Sequence, residues 1–211
     1  RPGDHATAPI RRQGITPRIA AVTPRLNIAI VGAGLGGLAT AAALLQRGHR
    51  ARVFEQAQAL GEIGAGIQMS ANAMKVLDRL GLRSRLEPNA VRPKAFEFRR
   101  FNDGELLHTV PLGEAHEQRH GAPYFQLHRH DLHEALRAAA HALDPVALAL
   151  DARALALREE ADAVYVAFAR GAPWRADLVV GADGIKSMMR RYTAGADDPV
   201  FTGQVAWRCT V

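Results

Sequence analysis

The chain has 211 residues, 48% of them apolar and 23% charged, the balance of a globular protein of one domain or one and a fraction with a substantial core. Its formal charge of +6 suggests nucleic-acid binding only until the charge is located: residues 1–25 hold five arginines against one aspartate, leaving +2 for the other 186 residues, so no nucleic-acid partner is expected. A single cysteine, Cys209, excludes an internal disulfide and a multi-cysteine metal site; it fits a reducing compartment, and a cytoplasmic location is expected.

In chain order, residues 1–25 carry Pro2, Pro9, Pro17 and Pro24 without apolar periodicity and read as a mobile tail. Arg11-Arg12 in this tail and the uncharged stretch at 26–46 imitate an export signal and a membrane span. Glycines in the middle of that stretch would weaken a spanning helix and make better sense as a nucleotide loop, so no membrane association is expected.

Asn27-Ile-Ala-Ile-Val31 is a buried-type strand, Gly32-Ala-Gly-Leu-Gly-Gly37 a turn, and the alanine- and leucine-rich segment to Gln46 a helix. Gly32 permits the tight turn, Gly34 lets backbone approach a pyrophosphate, and Gly37 lets the helix pack on its strand; Gly36 belongs to the same loop. The helix N-terminus offers unpaired amides and a positive dipole end to phosphates. A second strand, Ala51-Arg-Val-Phe-Glu55, ends in an acid 18 residues after Gly37, where a ribose hydroxyl acceptor belongs. Glu55 would repel a 2′-phosphate, so the expected ligand is an adenine dinucleotide of the FAD or NAD type.

A plain dehydrogenase would continue with regular strand and helix alternation. Here Leu60-Gly-Glu-Ile-Gly-Ala-Gly-Ile-Gln-Met-Ser-Ala-Asn72 is a glycine-punctuated loop containing Gln68, followed by a helix over 73–80 with Met74, Leu77 and Leu80 on one face and Gly81 at its end. Residues 95–101 alternate, Asn102-Asp-Gly104 turns and 105–110 return, a hairpin. His116-Glu-Gln-Arg-His120 matches a metalloprotease pattern, but Pro111, Gly113 and Gly121-Ala-Pro123 argue for a loop rather than the helix a zinc site needs; no metal is expected.

Further on, Arg129 precedes a helix whose Asp131 and Glu134 have capping-box spacing and whose Leu132, Leu136 and Leu143 form a stripe. Residues 147–174 read as a short strand and a hairpin. Residues 178–180 form another buried-type strand, Gly181-Ala-Asp-Gly184 turns the chain, and 185–192 suit a helix, which puts Asp183 at a strand's carboxyl end, where ligands collect. An Asx turn that shapes the loop is the alternative role for Asp183. Residues 201–211 begin a strand carrying Trp207 and Arg208.

The segments Gly-Ala-Gly-Ile-Gln68, Ser70-Ala-Asn-Ala, Val76-Leu-Asp-Arg-Leu-Gly-Leu82, His128-Arg-His-Asp-Leu132 and Leu178-Val-Val-Gly-Ala-Asp-Gly-Ile-Lys-Ser187 resemble the class A flavoprotein monooxygenases of salicylate hydroxylase and 6-hydroxynicotinate 3-monooxygenase type. The resemblance runs from Asn27 to Val211 and corresponds to the amino-terminal half of such enzymes. It implies an α/β chain: a Rossmann-like FAD-binding domain of glutathione-reductase type at 26–94 and 121–195, with part of a β-sheet substrate domain at 95–120 and 196–211. It implies FAD held by Gly32, Gly34, Gly36, Gly37, Glu55, Gln56, Arg129, Asp183 and Gly184, with Gln68 beside the isoalloxazine and Arg208 on a substrate carboxylate; a loop glutamine and a solvated arginine are the alternatives for the last two. NADH or NADPH would reduce the flavin, O2 would form a C4a-hydroperoxide, and one oxygen atom would pass to a small aromatic or heteroaromatic acid. Members continue for about as long again, so a missing C-terminal half or a second chain is expected to complete the fold. The rival readings are a simple NAD-linked dehydrogenase and a non-catalytic remnant or nucleotide-binding module.

Overall fold

The computed structural model describes residues 24–61, 66–195 and 198–206. The tail expected at 1–25 lies outside the described residues except for its last two, and so do Trp207 and Arg208. The elements are β1 (Asn27–Val31), α1 (Leu35–Gln46), β2 (Arg50–Phe54), β3 (Gly66–Met69), α2 (Ala71–Arg79), α3 (Arg83–Leu86), a 3-10 turn at Glu87–Asn89, β4 (Ala95–Arg99), β5 (Leu106–Pro111), α4 (Glu114–His120), β6 (Phe125–His128), α5 (Arg129–Leu143), β7 (Leu148–Ala149), β8 (Ala154–Glu159), β9 (Val164–Phe168), β10 (Trp174–Ala176), β11 (Leu178–Gly181) and α6 (Met188–Ala194).

The apolar run of β1 makes sense only between two layers. β1 lies inside a four-stranded parallel sheet ordered β11-β1-β2-β7, with Ile28 opposite Leu178 on one side and Ala51 on the other. Successive side chains point to opposite faces. Ile28 and Ile30 therefore join Val53, Leu38, Leu132 and Leu136 under α1 and α5. Ala29 and Val31 face the other way, packing with Phe54, Val166 and Ala176 beneath the three-stranded antiparallel sheet β10-β9-β8. Each large aliphatic residue so buried contributes about 1.5–3 kcal/mol. The alanines of α1 are functional in the packing sense: Gly37, Ala41 and Ala42 are buried, which lets Ala135 and Leu136 of α5 reach the same core.

Several local expectations change. Residues 114–120 form the helix α4, not a loop. Gly113 and Gly121 frame the segment instead of breaking it: the Gly113 carbonyl accepts from the His116 and Glu117 amides, and Gly121 closes the last turn at φ 69° with its N–H on the Glu117 carbonyl at 2.7 Å. The capping box of α5 does not form, because the helix begins at Arg129 with His128 as its cap and no side-chain cap bond, and Glu134 instead accepts from Arg137 Nε at 2.8 Å. Leu143 leaves the stripe and is exposed. The glycine-punctuated loop becomes a strand from Gly66 on, paired antiparallel with β6, so Gln68 sits in β3. α2 begins at Ala71, two residues early. α6 begins at Met188, three residues late, because Asp183 and Ser187 bond its first amides. The hairpin within 147–174 gains a third strand, β10, along β9, and residues 201–206 form no strand. No helix among the described residues is long and apolar enough to cross a membrane.

Candidate cofactor-binding site

The glycine turn between β1 and α1 is closed from both sides. Gly32 adopts φ +104°, a conformation L side chains rarely take, and a Cβ there would lie 2.4 Å from the Ala182 carbonyl oxygen. A Cβ on Gly37 would lie 1.9 Å from the Gly32 carbonyl oxygen. Gly34 and Gly36 are the opposite case: a Cβ on either meets nothing within 4 Å, so their exposed backbone is the side from which a ligand can approach the N-terminus of α1.

Glu55, at the carboxyl end of β2, aims back at this turn. Its Oε2 accepts the Ala33 N–H at 2.7 Å and its Oε1 the Ala57 N–H at 3.0 Å. Each carboxylate oxygen keeps a further lone pair for a ribose hydroxyl. The segment following β2 is tied to the one following β7: the Glu55 N–H donates to Ala149 at 2.9 Å, the Ala152 N–H to Glu55 at 2.8 Å, and the Asp151 N–H to Ala57 at 3.0 Å. A residue not singled out in the sequence, His133 of α5, bonds through Nε2 to the Ala33 carbonyl at 2.7 Å, where the ring nitrogen donates. It ties the entrance of α5 to the glycine turn across 100 residues of sequence; nothing in its local pattern marks it.

A cavity of about 440 Å³ opens at the carboxyl ends of β1, β2 and β11. It brings together Gly32, Gly34, Glu55, Gln56, Asp183 and Gly184 of the expected residues. Arg153 and Lys186 also line it, two cations that carry no role in the sequence reading, although Lys186 falls inside the Leu178–Ser187 segment. Asp183 has a structural duty: Oδ1 accepts from Ser187 Oγ at 2.5 Å and Oδ2 from the Met188 and Met189 amides at 2.7 and 3.1 Å, capping α6. These bonds reach four to six residues ahead, so they anchor α6 from the wall of the same cavity and are not the two-residue Asx turn weighed as the alternative.

Gln68 and Arg129 do not line this cavity. In the neighbouring layer β3 pairs Gly66 with His128 and Gln68 with Gln126, so Gln68 lies opposite a residue three positions before Arg129, which begins α5. Gln68 is exposed and Arg129 half-buried. Further along α5, the Arg137 guanidinium hydrogen-bonded to Glu134 holds that carboxyl below the usual range and raises the arginine in turn. On α4 the His116 and His120 rings stand 4.5 Å apart, but Glu117 turns to Arg83 at 3.2 Å, and among the described residues no three His, Cys, Asp or Glu side chains converge as metal ligands.

A parallel sheet with this crossover, a positive-φ glycine turn with an open backbone face, and a carboxylate at the end of the second strand define a dinucleotide-binding protein. Residues 25–209 match the family described as FAD binding domain, and the chain belongs to it. It is 43% identical over 183 residues to 3-amino-4-hydroxybenzoate 2-monooxygenase of Streptomyces cremeus, covering 87% of this chain and 45% of that protein. It is 38% identical over 182 residues to 6-hydroxynicotinate 3-monooxygenase of Bordetella bronchiseptica, covering 86% of this chain and 47% of that one. Among solved structures, Klebsiella pneumoniae HpxO complexed with FAD and uric acid superposes with a TM-score of 0.67 at 29% identity, over 80% of this chain and 42% of that one. The chain thus spans about half the length of the curated relatives it matches.

Proposed function

We propose that this chain is the FAD-binding part of an NADH- or NADPH-dependent monooxygenase that uses O2 to hydroxylate a small aromatic or heteroaromatic acid. The observation that carries it is the cradle at the glycine turn: Gly34 and Gly36 are open to 4 Å while Glu55 is fixed at its edge by two backbone amides. The amides at the start of α1 bind and orient a pyrophosphate, with no rearrangement of the loop. Glu55 accepts hydrogen bonds from the ribose diol. Gln56 covers the adenosine side of the cavity. Asp183 and Gly184 meet the ribityl side while the Asp183 carboxylate keeps α6 in place. Arg129 and Gln68, both carried by the β3–β6 layer and the helix that follows it, flank the flavin ring, and Arg208 pairs with a substrate carboxylate. Bound FAD supplies the redox chemistry, accepting a hydride equivalent and activating oxygen for transfer to the ring.

Residues 26–94 and 121–195 form the cofactor domain in this reading, and 95–120 with 196–211 part of the substrate domain. The exposed hairpin β4–β5 supports that division, since Phe96 and Phe98 lack cover among the described residues. The length of the relatives that this chain does not span is assigned, in this reading, to a continuation of the chain or to a second chain that completes the fold. That coverage favours a second reading, in which these 211 residues alone bind the cofactor without turnover. A cytoplasmic enzyme, with reduced nicotinamide at hand, is the setting proposed for the first.

The test is a visible absorption spectrum of the purified chain before and after adding FAD. A perturbed flavin spectrum that survives gel filtration, with affinity lowered about tenfold or more in Glu55→Ala, is expected. A folded chain that takes up no flavin overturns the cofactor assignment, and oxygen-dependent hydroxylation of an aromatic acid with NADH removes the second reading.

A further inference from the structure

At the end of the parallel sheet opposite the glycine turn lies a second cavity, of about 790 Å³, walled by Arg25, Arg50, Arg52, Trp174, Arg175 and Asp177. β2 carries Arg50, Arg52 and Phe54 at alternate positions, so one face of the strand holds all three. Arg50 stands opposite Asn27, and Arg52 opposite Ala29, on β1. Arg52 lies against two aromatic rings that touch each other, its guanidinium carbon 5.0 Å from the Trp174 ring centre and 6.0 Å from that of Phe54. Its Nε is buried with no hydrogen-bond partner among the described residues.

The acids of the cavity are engaged within its own wall. Asp177 accepts the Asn27 N–H at 2.7 Å and pairs with Arg175 at 3.8 Å; Arg175 also pairs with Asp162 at 3.0 Å. Asp144, on the same wall, accepts the Val146 N–H at 3.0 Å. Arg25, Arg50 and Arg52 form no ion pair with any described residue, and they converge from two chain segments on one space. Like charges gathered on a concave wall raise its potential and draw in anions. Guanidinium forks match phosphate oxygens two at a time, and several forks spread over a cavity of this size suit linked phosphates better than a single small oxyanion.

We propose that this groove is an oligophosphate-binding site, independent of the FAD cavity, with Arg25 and Arg50 as the principal ligands and Arg52 held ready by Trp174. Its ligand is a diphosphate or triphosphate group, free or borne by a nucleoside.

The test uses the full 211-residue chain carrying Trp207→Phe, which leaves Trp174 as the sole tryptophan reporter. Sodium pyrophosphate and, separately, ADP are titrated against tryptophan emission. A saturable change is expected, with a dissociation constant raised about tenfold or more in Arg25→Ala/Arg50→Ala and a steep loss with added salt. Both arginines are exposed, so the variant keeps the parent's circular dichroism. Equal affinity for the two probes means that phosphate alone is read; tighter ADP binding means that the nucleoside is held as well. No saturable response at millimolar pyrophosphate, or a response untouched by the double substitution, overturns the proposal. Pyrophosphate bound only at the distant glycine turn gives the latter result.

Discussion

β1 and β4 are strands of five residues each, and both carry large apolar side chains, yet their fates are opposite. In β1 every residue after Asn27 is buried; in β4 every residue after Ala95 is exposed, Phe98 at 49%. The residues differ, since β4 alternates its phenylalanines with Glu97 and Arg99, and so does the setting. β1 has a strand on each edge and a layer on each face, whereas β4 belongs to a two-stranded ribbon with β5 whose faces find no packing layer among the described residues. A ribbon of two strands does not stabilise itself in water. The parallel sheet therefore carries its own packing layers, and the hairpin has none among the described residues.

The largest way to break that contrast is to strike the glycine turn. Gly37→Val sets side-chain carbon against the Gly32 carbonyl, where even a Cβ stands at 1.9 Å. The helix must shift off its strand, at a cost on the order of 5 kcal/mol, comparable with the stability of a whole domain. Urea denaturation is expected to show no cooperative native baseline and flavin uptake to vanish together with it; a folded Gly37→Val protein contradicts the close packing described for the turn.

A more graded comparison sets Leu136→Ala in α5 against Phe98→Ser in β4. Leu136 is fully buried, and its truncation is expected to cost about 3 kcal/mol through lost transfer energy and a residual cavity. Phe98→Ser removes a larger side chain but is expected to change stability by less than about 0.5 kcal/mol, while lowering self-association measured by light scattering. Equal losses at the two positions would erase the distinction between the two regions.

The same distinction explains what the sequence made legible. The glycine spacing and Glu55 could be read because they hold fixed places in one strand–turn–helix–strand unit: Gly32 through its own φ, Gly37 through contact with the turn before it, and Glu55 as the acid ending the second strand, although its bond to Ala33 spans 22 residues. His133 and Arg153 could not, since one reaches the site across 100 residues and the other through backbone bonds between the ends of β2 and β7. Asp183 was legible as a loop acid at a strand end, but its bonds to α6 depend on where that helix starts, three residues later than its composition suggested. At 114–120 the flanking glycines suggest a break, yet Gly121 in the left-handed region is what ends a helix well.

The smallest expected effect lies on α4. His116 titrates below the ordinary histidine value of 6.5, chiefly because burial disfavours its charged form and secondly because His120 repels it. Its Nε2 is buried without a hydrogen-bond partner among the described residues, and Tyr124, itself raised by burial, meets the ring edge-on at 6.0 Å. A lowered folded pKa means that the unfolded chain takes up the proton more readily. The native state keeps its full stability above pH 6.5 and loses a little as pH falls through that value toward the lowered one. His116→Gln removes that loss, so wild type and variant are expected to differ in the same way from pH 7 to 8 and to diverge below pH 6, the variant gaining. The reading is thermal denaturation across that range. A gap between the two proteins that stays constant with pH would mean that His116 is as well solvated as the exposed His120 beside it, and α4 would then belong with the uncovered hairpin rather than with the packed sheet.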